Sequence, residues 1–244
     1  MRGYKFPNGL IGLAFLSFTA VSNATPITAG DSVLLPGTTV VSNPELAGTV
    51  VRDDLKPYYD LNPDLHPLFI AGHHYQDRVV QSDVTGSLIF ASRLRDPINV
   101  TGRDFLIDSI VLDGYSGFQT DVFYRTDGLG DRGPTFVERS ADGDDLTFLF
   151  GFPLLLQNLV QEIQDESLFI NILTDATAYN TSGTATIYGR IQDGANAGQL
   201  VQATVEGIAV PTRRQVKIPE PSTLVVLLSG MALLTVRVRR HSKS

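Results

Sequence analysis

A succession of short runs rich in β-branched and aromatic residues, separated by turn-forming clusters, constrains this chain most. The runs cover residues 84–92, 104–112, 118–125, 134–139, 145–151, 167–174, 183–191 and 199–210. Such segments read as strands. Between them lie Asp113-Gly114, Asp127-Gly128, Asp142-Gly143, Thr181-Ser182-Gly183 and Asp193-Gly194. Asp and Gly tolerate the backbone of tight turns, so the spacing predicts antiparallel hairpins. Alternation in Asp121-Val122-Phe123-Tyr124-Arg125 and in Thr184-Ala185-Thr186-Ile187-Tyr188 predicts half-buried strands. The expected fold class is all-β, an antiparallel β-sandwich of jelly-roll-like form. One segment dissents. Leu155, Leu156, Leu159, Val160 and Ile163 fall at helical spacing, and Pro153 suits a first helical position, which predicts a short capping helix. The proline-punctuated region 43–78 predicts extended edge strands and loops.

The two ends read differently from the middle. Arg2 and Lys5 precede an apolar stretch from Leu10 to Val21, and Ser22-Asn23-Ala24 supplies small residues before a cleavage point after Ala24. This pattern predicts a secretory signal peptide over residues 1–24. At the other end, Pro219-Glu220-Pro221 and Ser222-Thr223 lead into an apolar run from Leu224 to Val236, followed by Arg237, Arg239 and Arg240. The two prolines lack N–H groups and fix φ, so they hold Glu220 on a stiff, extended stalk. The run is about 13 residues, or roughly 20 Å as a helix, against a bilayer core of about 30 Å. It predicts a single short transmembrane helix, completed by snorkelling of Arg237. The arginines form a membrane stop and stay cytoplasmic by the positive-inside rule, leaving the body outside. Three regions result: a leader at 1–24, a β-sandwich at 25–217 and a sorting tail at 218–244.

Composition bounds the middle region. Of the 19 basic residues, Arg2, Lys5, Arg237, Arg239, Arg240 and Lys243 lie in the end segments, and Glu220 is the one acid there. The body therefore carries a net charge near −12 from 13 basic and 25 acidic residues. Bulk electrostatics of that sign disfavour nucleic acid and anionic lipid as partners. The absence of cysteine excludes disulfides, thiol catalysis and Cys-ligated zinc or iron–sulfur centres. Stability must come from the core.

The ordered tail of Pro219-Glu220-Pro221, apolar run and arginine cluster resembles the PEP-CTERM sorting signal of exported bacterial proteins. Asp121–Asp131, with Arg139-Ser-Ala-Asp-Gly and Leu173-Thr-Asp-Ala-Thr, also resembles the bodies of uncharacterised members. The resemblance implies recognition and cleavage near the motif by an exosortase, an integral-membrane transpeptidase-like enzyme. It further implies a precursor held briefly in the inner membrane, then passage to the cell surface or an exopolysaccharide matrix.

Other residues invite chemical readings. Gly128-Leu-Gly-Asp-Arg-Gly133 has dinucleotide-loop spacing, but a strand-like Pro134-Thr-Phe-Val follows where a helix is required, so it reads as a hairpin loop. Asp127, Asp131, Asp142 and Asp144, with Asp145, are candidate calcium ligands, although their spacing fits no EF-hand and Asp is common in turns for backbone reasons. His66, His73, His74 and Asp77 cluster in sequence, yet adjacent strand residues face opposite ways, which disfavours a zinc site. Ser116 sits in a motif that departs from the nucleophile elbow at its last position. Asn99-Val-Thr101 and Asn180-Thr-Ser182 match a glycosylation pattern. Tyr58, Tyr59 and Tyr75 could stack on sugar or pack on a sheet. No catalytic residue and no cofactor is expected. The expected role is structural or adhesive in an exopolysaccharide matrix. The competing reading is a carbohydrate-binding or glycoside-cleaving module, the latter needing two carboxylates about 5–10 Å apart in a cleft.

Overall fold

The computed structural model describes residues 25–57, 74–95, 105–156 and 165–213. The strands in chain order are β1 (Thr25–Pro26), β2 (Ser32–Leu34), β3 (Gly37–Thr38), β4 (Gly48–Pro57), β5 (His74–Ser82), β6 (Leu88–Arg95), β7 (Phe105–Leu112), β8 (Thr120–Arg125), β9 (Phe136–Arg139), β10 (Leu146–Leu156), β11 (Ile170–Thr174), β12 (Ala178–Ile191) and β13 (Leu200–Thr212). The helical content of the described residues is one 3₁₀ turn, Pro44–Leu46. The first sheet has the spatial order β1-β8-β11-β6-β5-β4, with β3 added parallel to β8. The second has the order β13-β12-β7-β10-β9-β2. The pairings along both orders are antiparallel and the described residues are all-β, consistent with a sandwich.

One buried cluster joins the sheets. Tyr75, Val79, Phe90, Val122 and Ile172 come from the first, and Phe105, Ile110, Phe148, Leu154 and Ile187 from the second. Each such side chain contributes about 1.5–3 kcal/mol by leaving water. Phe90 and Tyr115 meet edge to face at 5.9 Å between centroids. Bulges keep the right residues inward. In β7 the register against β12 steps from Ser109 opposite Tyr188 to Ile107 opposite Gly189. Asp108 drops out of the ladder there, so both Phe105-Ile107 and Ile110-Leu112 face the core. Asp108 turns outward to Arg190 at 3.0 Å.

The expected strands are present with shifted ends, but the turns differ. Asp142-Gly143 and Asp193-Gly194 close the β9–β10 and β12–β13 hairpins. Asp113-Gly114 and Asp127-Gly128 instead begin crossings between sheets, because β7 and β9 lie in the second sheet and β8 in the first. Thr181-Ser182-Gly183 is no turn at all; it lies inside β12 at a register shift. The helix expected from Pro153 is also corrected over its first residues. Leu154, Leu155 and Leu156 pair with Ile107, Leu106 and Phe105 in β10. Pro153 sits in the register shift between Leu149 and Leu154, where a missing N–H breaks no ladder bond. The region 43–78 provides β4 at an edge as expected, but β5 lies inside the sheet between β4 and β6.

No helix among the described residues is long and apolar enough to cross a membrane. The leader with Ala24, the motif Pro219-Glu220-Pro221 and the stop Arg237, Arg239 and Arg240 lie outside the described residues.

Candidate functional site

The outer face of the first sheet is not a plain solvent surface. Strand β6 is buried almost throughout, on both faces. Its outward Ile89 joins Phe123, Leu173 and Leu46 in a second apolar cluster, with Val40 and Val80 against it. Residues 36–47 supply the cover. The Tyr124 amide donates to the Pro36 carbonyl at 3.2 Å, and the Thr126 amide donates to the Thr38 carbonyl at 2.8 Å. The Val40 amide then donates to the Asp127 carboxylate at 2.9 Å. The 3₁₀ turn that follows presses Leu46 onto the sheet.

Beside this cover lies an open groove of about 270 Å³. Val40, Leu46, Val50, Val80, Ile89 and Phe169 are its apolar lining, and Arg78, Arg125 and Asn171 its polar lining. The Arg78 guanidinium carbon stands 4.6 Å from the Phe169 ring centroid, and that of Arg93 stands 5.1 Å away. Arg78 Nη2 donates to Asp53 at 2.6 Å, while Arg78 Nε is buried with no hydrogen bond. Arg125 Nε donates to Asp127 at 2.8 Å. Burial alone would raise the Asp53 carboxyl, but the Arg78 and Gln76 bonds hold it below its usual value. Asp127 is likewise held low, since the Arg125 and Val40 bonds outweigh burial. Both stay ionised near neutral pH, and neither lines the groove. Asp121 is different: burial and the Glu45 charge raise its carboxyl, yet neither of these acids lines the groove.

The candidate calcium ligands divide between opposite ends of the sandwich. Asp127 and Asp131 follow the end of β8, whereas Asp142 and Asp144 lie beside its start, about 20 Å away for a six-residue strand. Each is used locally. Asp131 accepts the Glu166 amide at 2.8 Å, Asp142 accepts the Ser140 hydroxyl at 2.6 Å, and Asp144 accepts the Ser116 amide at 3.1 Å. Among the described residues no three acidic or imidazole side chains converge as a metal site. His74 and Asp77 sit three apart on β5 and face opposite ways, while His66 and His73 lie outside the described residues. Ser116 donates its hydroxyl to the Asp142 carbonyl at 3.3 Å, which is a turn contact. Tyr75 is fully buried in the core, and Tyr58 and Tyr59 lie outside the described residues. Asn180, at the register shift inside β12, accepts the Ser182 amide and hydroxyl; Asn99 lies outside the described residues.

The glycine-rich loop Gly128–Gly133 joins the two sheets and precedes no helix, so it is a crossing rather than the expected hairpin. Gly130 is held at φ +124°, and a Cβ there would strike the Ser167 carbonyl. The glycine is thus required by a neighbouring strand connection and not by a phosphate. Gly130→Ala is expected to cost about 2–3 kcal/mol through strain and displaced backbone, read as a lower urea midpoint at unchanged slope.

Arg139 and Asp77 are buried charges whose structural roles the sequence did not show. Arg139, 7% exposed, places all five guanidinium N–H groups. Nε donates to the Gly143 carbonyl at 3.0 Å, Nη1 to the Ile27 carbonyl and Thr120 hydroxyl, and Nη2 to the Tyr115 and Phe118 carbonyls. Burial lowers its pKa, opposed by the charge of Asp144. Asp77, 4% exposed, accepts Arg52 Nε at 2.8 Å and the Ala209 amide at 3.0 Å. It links β5 to β4 and, across the sandwich, to β13.

Comparison with known proteins finds nothing similar: no protein-family model, curated protein or solved structure matches this chain.

Proposed function

We propose that this chain is an exported cell-envelope or matrix protein with a structural or adhesive role, sorted by an exosortase-type enzyme. The observation that carries the reading is the ordered tail: Pro219-Glu220-Pro221, an apolar run too short for a comfortable span, then Arg237, Arg239 and Arg240, opposite a leader ending at Ala24. The signal peptide delivers the chain across the inner membrane, and the tail holds it there with the body outside. Processing near Glu220 then releases it to the cell surface or an exopolysaccharide matrix. The body is a jelly-roll-like sandwich in this reading; its repeated crossings between two antiparallel sheets support that form. A core-stabilised, cysteine-free sandwich suits a matrix component. The alternative, a carbohydrate-binding module, draws support from the groove on the first sheet. Glycoside cleavage draws none from it, because no carboxylate lines that groove.

Replacing Pro219-Glu220-Pro221 with three alanines is expected to leave the full-length chain in the inner-membrane fraction. Mass spectrometry of the wild-type C-terminus should then show a chain cut near Glu220. Normal processing of the alanine variant would defeat the proposal.

A further inference from the structure

The lining of the groove on the first sheet differs from the acidic body as a whole, although each of its arginines is ion-paired with an aspartate that does not line it. The body is strongly acidic, yet the groove presents two arginines and no carboxylate. Each guanidinium has five N–H donors. Arg78 commits Nη2 to Asp53 and Arg125 commits Nε to Asp127, contacts that orient the two forks at the rim. Arg78 Nε is buried without a hydrogen bond and out of reach of a ligand, which must be met by the Nη groups. The lining also includes the apolar side chains of Val40, Leu46, Val80 and Ile89. A matching ligand needs both an anionic group and C–H surface.

We propose that this groove binds a carboxylated sugar unit of an acidic polysaccharide, with the carboxylate between Arg78 and Arg125. The carboxylate geometry matches a guanidinium fork. The ring's C–H face packs on the apolar lining. A volume of about 270 Å³ lies near the lower end of small-molecule sites and suits one or two sugar rings. The groove is too short and open to withdraw an acyl chain from water, which argues against a fatty carboxylate. The Phe169 ring is no stacking platform, since it is nearly buried and faces Arg78 and Arg93. Recognition therefore depends on charge and not on aromatic stacking. This inference rests on the matrix reading of the chain, and names the ligand class for it.

The test uses the purified full chain and labelled trisaccharides in fluorescence anisotropy. A triuronate should bind, with affinity falling as salt rises. A neutral glucose trimer should bind about tenfold more weakly or not at all, the loss expected for a charge-assisted bond. Arg125→Gln should weaken the triuronate by about tenfold. Ala47→Asp keeps both arginines and sits at a half-buried lining position with ordinary extended backbone, φ −73° and ψ 138°, so it should fold normally and abolish binding. Equal binding of the neutral trimer, full binding by the folded Ala47→Asp variant, preference for decanoate, or no triuronate binding by the wild type would each overturn the inference. Sorting of the Pro219-Glu220-Pro221 variant is read separately by fractionation, so the groove and the address can fail independently.

Discussion

Arg139→Ala is expected to lower unfolding stability by about 3–5 kcal/mol, the cost of orphaning several buried acceptors at once. Five bonds from one guanidinium tie the loop before β2, the β7–β8 crossing, the start of β8 and the β9–β10 hairpin. The acceptors are four carbonyls and one hydroxyl fixed on different segments, so no single side chain can relax to serve them all. Arg139→Lys should recover little. An ammonium has three donors at one point, and it cannot span Gly143, Ile27 and Phe118 together. Urea unfolding would read the effect as a lower midpoint at constant slope. Hydrogen exchange at the amides of Gly30 and Gly143, which bond within this end of the sandwich, should rise in parallel. A loss under about 1 kcal/mol would mean that the clamp is replaceable by water.

Asp77→Ala should cost a similar amount, about 3–5 kcal/mol, because it leaves Arg52 half-buried without its main acceptor and the Ala209 amide unpaired. Burial raises the Asp77 carboxyl above its ordinary 3.8, more than the Arg52 bond, the Ala209 amide and the Lys56 charge lower it. Arg52 shows the other side of the pair: burial lowers it, yet the Asp77 bond and charge hold it above its ordinary value. The native carboxyl thus binds its proton more tightly than the unfolded one. Its protonation contributes stability that is complete below 3.8 and is lost as pH rises through the raised native value. Asp77→Asn should remove that slope while keeping one acceptor, and so cost less than alanine. Stability measured from pH 3 to 7 checks both points, with the pH range chosen from the ordinary carboxylate range of about 4. An unchanged slope in Asp77→Asn would show that another group titrates there.

Legibility followed the range of the interaction. Period-two alternation in Asp121–Arg125 and Thr184–Tyr188 is a local consequence of the pleat, and it located β8 and the middle of β12. Turn chemistry was equally local, but a turn's residues do not record which sheet the next strand joins. Asp142-Gly143 closes a hairpin and Asp113-Gly114 starts a crossing with the same dipeptide. Leu155 and Leu156 belonged to a helical spacing, and the ladder with β7 placed them in a strand; Leu159, Val160 and Ile163 lie outside the described residues. The groove left only a faint trace. Arg78 inside β5 and Asn171 inside the apolar β11 are the polar residues among strand positions that could have marked it.

The amino-acid sequence by itself determined the strand-rich class, the acidic and cysteine-free body, and the two end segments on which the proposed export rests, because each depends on composition or on neighbours a few positions apart. Only the tertiary structure decided how strands divide between the sheets, that residues 36–47 cover an outer face, and that Arg78 and Arg125 meet at one groove from strands 47 positions apart in numbering. It alone drew Arg52 onto Asp77, through the bulge at Val51 that turns Arg52 to the inner side of β4. Those outcomes hang on register and on contacts between distant segments, and such contacts are selected by burial and hydrogen bonding in the assembled fold rather than by any local pattern.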